Sequence, residues 1–112
     1  MWMQVDLRVD DWMQNPLGNM HGGMISAALD MTMGLVTRYA SGGRMTPTID
    51  LTVHYLRSIP VGAVLHVKAR CMGMNDQLCH AVARCWTGDD EERPNAIASG
   101  SYFRAEHDTV AQ

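Results

Sequence analysis

The run Asn15-Pro16-Leu17-Gly18-Asn19-Met20-His21-Gly22-Gly23 leads into an apolar stretch, and Asp30 follows seven residues beyond its end. Backbone N–H groups at a helix start have no intrahelical acceptor and carry the positive end of the helix dipole. They can therefore hold negative charge as it develops on a bound group. A carboxylate two turns further along can take a proton or act as a nucleophile. A lone acid among apolar residues is costly unless it is paired or used, because burial penalises its charged form. Asp30 is thus a candidate reactive group, and a structural acid bonded to a neighbouring hydroxyl is the alternative reading.

These residues need a scaffold. Asn15-Pro16 and Gly18-Asn19 are turn signals, and Gly22-Gly23 lets backbone approach a ligand closely. Residues Gly23 to Ala40 are apolar nearly all round a helical wheel, which predicts a helix buried on most sides. Its polar or minimal positions, Ser26, Asp30, Gly34 and Thr37, fall on one narrow stripe. Ser41-Gly42-Gly43 stops it.

Val5, Leu7 and Val9 alternate with charged residues and predict a short strand before the loop. Four more strands are expected over Thr48 to Leu56, Ala63 to Met72, Gln77 to Trp86 and Ala96 to Arg104, with Ile49, Leu51, Val53 and Tyr55 sharing a face of the first. One long apolar helix with strands in hairpin order must be covered by a sheet that curls round it, an α+β layout in a single domain over residues 1–112. The tail 106–112 is expected to fray.

The chain has 112 residues and a formal net charge of −3, so it has no basic surplus to hold nucleic acid or an anionic membrane. No apolar run reaches the roughly 18 residues of a membrane span, and no export signal is evident. Three cysteines without CxxC spacing argue against a disulfide framework and a zinc ribbon, and fit a reducing cytoplasm. His54, His66 and His80 lack the spacing of a metal site, so no metal is expected. Met20, Met24, Met31 and Met33 suit either core filling or an adaptable acyl pocket.

The loop Asn15 to Gly23, the segment Asp30-Met31-Thr32-Met33-Gly34 and the strand Thr48 to Arg57 together resemble the hot-dog-fold acyl-CoA thioesterases of the phenylacetate-degradation (PaaI-like) branch. The likeness spans roughly residues 12 to 105. It implies one central helix wrapped by a curved antiparallel sheet of about five strands, and edge-to-edge pairing of two copies with sites at their interface. It further implies that Asp30 is the general base or nucleophile, that the Gly22 N–H polarises the thioester carbonyl, and that Asn15 positions water or substrate. His21 braces the turn, while Thr48 helps to hold the water. Gly23 and Met24 would line the substrate, with Arg57 the preferred partner for coenzyme A phosphates among Arg44, Arg57, Lys68, Arg70 and Arg84. Coenzyme A is then part of the substrate, and no separate cofactor is expected. Many relatives carry an extra N-terminal element, whereas Met1-Trp2-Met3 lies almost at the first strand, so part of the pocket wall is expected to be missing, which bears on substrate size.

Two consequences follow from spacing. Gly22 and Asp30 lie about 12 Å apart along one helix, so they cannot serve one carbonyl within a chain. Asp30 of one copy should meet Gly22 and Asn15 of another, which makes the protein a dimer at least; a dimer of dimers is a further expectation that spacing does not give. Strict alternation also puts Thr48 on the face opposite Ile49 and Leu51, so it reaches the site only if the strand bulges near Pro47. Two other functions compete: a non-catalytic acyl-CoA-binding module, which has no need of Asp30, and a hot-dog hydratase, whose DxxxxH pattern is missing.

Overall fold

Period-two patterning builds a five-stranded antiparallel sheet in this computed structural model, which describes residues 1–106. The elements are β1 (Trp2–Arg8), a single 3-10 turn (Asp11–Met13), α1 (Gly22–Ala40), β2 (Thr48–Tyr55), β3 (Val64–Met74), β4 (Leu78–Thr87) and β5 (Ala96–Phe103). The strand order is β1-β3-β4-β5-β2, so β1 and β2 are the two edges. The expected helix and five strands are all present. Of the tail, only Glu106 falls among the described residues.

The inner face of the sheet is made mostly of small side chains where α1 lies on it. Ala69, Ala81, Ala83, Ala96 and Ala98 are buried there beside Leu65, Val67, Cys79 and Cys85. Small residues let the helix seat closely, and Leu29, Met33 and Val36 fill the space at 1% exposure or less. Each such side chain contributes roughly 1.5–3 kcal/mol of burial. Val9 and Ile59 close the ends of the core, tied by Gly62 N–H to the Val9 carbonyl and Met20 N–H to that of Ile59.

Two expectations need correction. The helix is not buried on most sides in the single chain: Ala27, Met31, Leu35 and Tyr39 form an exposed stripe, with Tyr39 at 67%. Their spacing of four keeps them on one side of the helix, which the single chain leaves exposed. Nor does Ile49 share a face with Leu51. The β2–β5 register shifts between Thr48 and Asp50, leaving Ile49 extruded and exposed. No helix among the described residues is long and apolar enough to cross a membrane.

Gly100 on β5 fills a position that tolerates no side chain. A Cβ there would sit 3.0 Å from the Asp50 carbonyl oxygen and 3.1 Å from the Tyr102 ring. Backbone cannot retreat as a flexible side chain can, so Gly100→Ala should cost about 1–3 kcal/mol. Chemical denaturation read by circular dichroism measures that loss directly.

Candidate active site

The polar stripe of α1 faces hydroxyl groups from the sheet and its flanking loop. Ser26 shares a hydrogen bond with Tyr55 of β2, and the Tyr55 hydroxyl also donates to the Gly22 carbonyl (3.0 Å). Further along, Thr37 donates to the Gly34 carbonyl (3.0 Å), and its hydroxyl lies 3.0 Å from that of Thr46, with which it shares a hydrogen bond. Between these pairs lies Asp30, half-buried. Its Oδ1 accepts from Thr48 (2.9 Å) and from Tyr102 of β5 (2.7 Å).

The bulge explains how Thr48 gets there. With Ile49 extruded, Thr48 pairs with Tyr102 and turns to the helix side, together with Leu51 and Val53. Two hydroxyl donors on one oxygen hold the carboxylate in a fixed orientation. Its other oxygen, Oδ2, has no hydrogen-bond partner among the described residues and is not sealed from solvent. That is the arrangement a base needs: one oxygen anchored, the other open.

Tyr102 is the residue that sequence reasoning missed. It is fully buried, and burial, followed by the hydrogen bond to Asp30 and its charge, pushes the phenol well above its ordinary range. The hydroxyl therefore stays protonated and remains a donor. A usable signal existed in the inward series Ala96, Ala98, Gly100, Tyr102, since a buried tyrosine hydroxyl must find a partner and a buried acid must find donors. Tyr102→Phe should lower turnover about tenfold with KM little changed and destabilise the fold by about 1–2 kcal/mol, because Asp30 keeps only Thr48. Steady-state kinetics with a denaturation curve test both.

The loop before α1 forms a second cluster, apart from Asp30. The Asn15 side-chain oxygen accepts from the N–H of Leu17 (2.9 Å) and Asn19 (3.1 Å), so in the chain itself Asn15 shapes the turn. His21 is the N-cap of α1, with Nδ1 accepting the Gly23 N–H at 2.8 Å. Met24 and Ile25 N–H groups are taken by the His21 carbonyl. The Gly22 N–H is thus the first-turn donor that has no partner among the described residues. The atoms nearest a Cβ at Gly22 would be those of Tyr55, at 3.5 Å.

Predicted residues fall into three places. Asn15, Gly22 and Arg57 line one cleft of about 310 Å³ with Tyr55 and Ser58. Asp30 and Thr48 form the hydroxyl-bonded cluster further along the helix. Met24 lines a separate apolar groove of about 310 Å³ with Leu7, Trp12, Met13 and Met31. Gly23 faces His21 rather than either cavity. Among the basic residues, Arg57 lines the cleft and donates to the Pro94 carbonyl (3.3 Å). Arg44 is committed to the carbonyls of Arg104 and Ala105, and Lys68 and Arg84 pair with Glu91 on the outer sheet face.

The thioesterase superfamily model matches residues 17–93, which include Gly22, Asp30 and all of β2. The chain belongs to the thioesterase superfamily. Acyl-coenzyme A thioesterase THEM4 of Xenopus laevis is 37% identical over 59 residues, 53% of this chain and 26% of that protein, so the match spans about a quarter of that relative's length. Zebrafish thioesterase superfamily member 2 superposes with a TM-score of 0.84 at 17% identity over 93% of this chain and 75% of that one, which establishes the shared hot-dog fold. A Streptococcus mutans protein bound to acetyl-CoA gives 0.82 at 25% identity (93% and 81% covered). A phenylacetic acid degradation-related protein of Ralstonia eutropha gives 0.78 at 27% (91% and 75%). In this superfamily member the helix is the filling and the curved sheet its wrapper.

Proposed function

We propose that the protein is an acyl-CoA thioesterase of the PaaI-like branch, cleaving an aryl- or medium-chain acyl-CoA to free acid and coenzyme A in a reducing cytoplasm. The observation that carries this reading is the position of β2. It is an edge strand of eight residues that engages Asp30 at one end, through Thr48, and Gly22 at the other, through Tyr55. An edge strand has unpaired N–H and C=O groups and pairs readily with a second copy of itself. Pairing about a two-fold axis is antiparallel, so the Thr48 end of one copy lies against the Tyr55 end of the other. Asp30 then faces the partner's Gly22, and the 12 Å gap along one helix ceases to matter. The exposed Ile49, Tyr55 and Leu56 would be covered in the same step.

In the assembled site Asp30 Oδ2 takes a proton from water as the oxygen adds to the thioester carbon, or itself adds to that carbon and is later hydrolysed. The Gly22 N–H receives the developing oxyanion, with the helix dipole behind it. Asn15 orients water or the carbonyl through its side-chain amide, which has no hydrogen-bond acceptor among the described residues. Arg57 meets a phosphate of the coenzyme, and the Met24 groove receives acyl group. Dimers pair again into a tetramer through the exposed stripe of α1.

A thiol-release assay across aryl and fatty acyl-CoAs tests the reading. Release from at least one class is expected. Tight binding of several without release would instead identify a non-catalytic acyl-CoA-binding module. Single turnover in oxygen-18 water tests the covalent route, since label in Asp30 requires attack by the carboxylate followed by addition of water at the aspartyl carbon.

A further inference from the structure

Cys71 on β3 and Cys79 on β4 bring their sulfurs to 2.6 Å, about 0.6 Å from the length of a disulfide bond. Both side chains lie on the inner face of the sheet, where Cys71 pairs in register with Ala81. The irregularity between Cys71 and Gly73 carries Cys79 diagonally across to it. Cys85, the third thiol, sits six positions along β4, about 20 Å away. We propose that Cys71 and Cys79 are a reversible dithiol–disulfide pair that closes on exposure to a hydroperoxide.

The two sulfurs have different roles. Cys71 is half-buried, whereas Cys79 is fully buried and its thiol is pushed up to about 12, first by burial and then by the hydrogen bond and charge of Cys71. Cys71 as thiolate attacks one peroxide oxygen; the O–O bond breaks, hydroxide leaves, and Cys71 becomes a sulfenic acid. Cys79 then attacks that sulfur; the S–S bond forms, and hydroxide departs with the Cys79 proton as water. In sum two thiols and one hydrogen peroxide give one disulfide and two waters, with two electrons passing from sulfur to oxygen. Cys79 is the register partner of Tyr102, so the new bond lies beside the phenol that holds Asp30.

The sequence isolates the pair for measurement. Cleavage after Arg70 and Arg84 yields residues 71–84 with both sulfurs and leaves Cys85 at the head of the next peptide. The full chain is treated with hydrogen peroxide, unfolded, alkylated, cleaved and weighed. Peptide 71–84 should lose about 2 Da and take no alkyl group, dithiothreitol should restore two alkylation sites, and Cys85 should be alkylated throughout; oxidised Met72 or Met74 adds about 16 Da and is told apart. Two alkyl groups on 71–84 after peroxide, a sulfinate at Cys71 with Cys79 still alkylated, or disulfides between chains would each overturn the proposal. In Cys71→Ser, Cys79 should be alkylated after the same treatment, and a blocked Cys79 in that variant would equally sink it.

Discussion

Asp30→Asn should lower turnover by about 10²–10⁴ while leaving the chain folded. Asparagine matches aspartate in shape and keeps an acceptor oxygen for Thr48 and Tyr102, whose hydrogen bonds hold the position in the native chain. What it loses is the basic, nucleophilic second oxygen. Under the proposed chemistry the stabilising contacts and the reactive atom lie on different oxygens of one carboxylate, so activity and stability separate. Unchanged thermal unfolding together with lost thiol release is the expected pair of results. Undiminished release would remove Asp30 from the chemistry.

Gly22→Pro is expected to cost about 10²–10³ in turnover, the effect of deleting one oxyanion donor. Proline is ordinarily a severe change in a helix, but Gly22 is the first helical residue, where its N–H has no intrahelical role and proline is well accommodated. The preceding residue must be extended, and His21 already is, with φ −64° and ψ 138°. The substitution therefore removes the donor without straining the helix, while setting its ring in the cleft beside Tyr55. Combined with Asp30→Asn, it also tests the assembly. When the two variant chains are mixed and refolded, half of the pairs are mixed and each has one site with both groups intact. Roughly a quarter of the wild-type rate should return. No recovery would show that Asp30 and Gly22 of one chain act together.

Much of this was legible in the chain because it depends on period. Alternation placed the strands, an apolar run bounded by Gly-Gly pairs placed the helix, and spacing on the wheel put Ser26, Asp30, Gly34 and Thr37 on one stripe. The failures arise where period breaks or where a partner is distant. The extrusion of Ile49 moves Thr48 to the helix side, and no count of alternating residues reveals an extra one. Tyr102 reaches Asp30 across 72 positions, a contact created by the sheet order rather than by any local pattern. The exposed stripe on α1 marks a third kind of limit: a pattern tells which residues avoid water, and not which molecule shields them.

The capping role of the His21 ring has a consequence for the leaving group. With Nδ1 accepting the Gly23 N–H, the His21 ring serves as a cap, and no residue of the proposed site is assigned to protonate the departing atom. A thiolate does not need one, since a thiol ionises near pH 8.5 and its anion departs unaided. An alkoxide is far more basic and would be expelled slowly without protonation. Under the proposed chemistry the turn therefore selects by the basicity of the group that leaves: thioesters are cleaved, and oxygen esters carrying the same acyl chain persist.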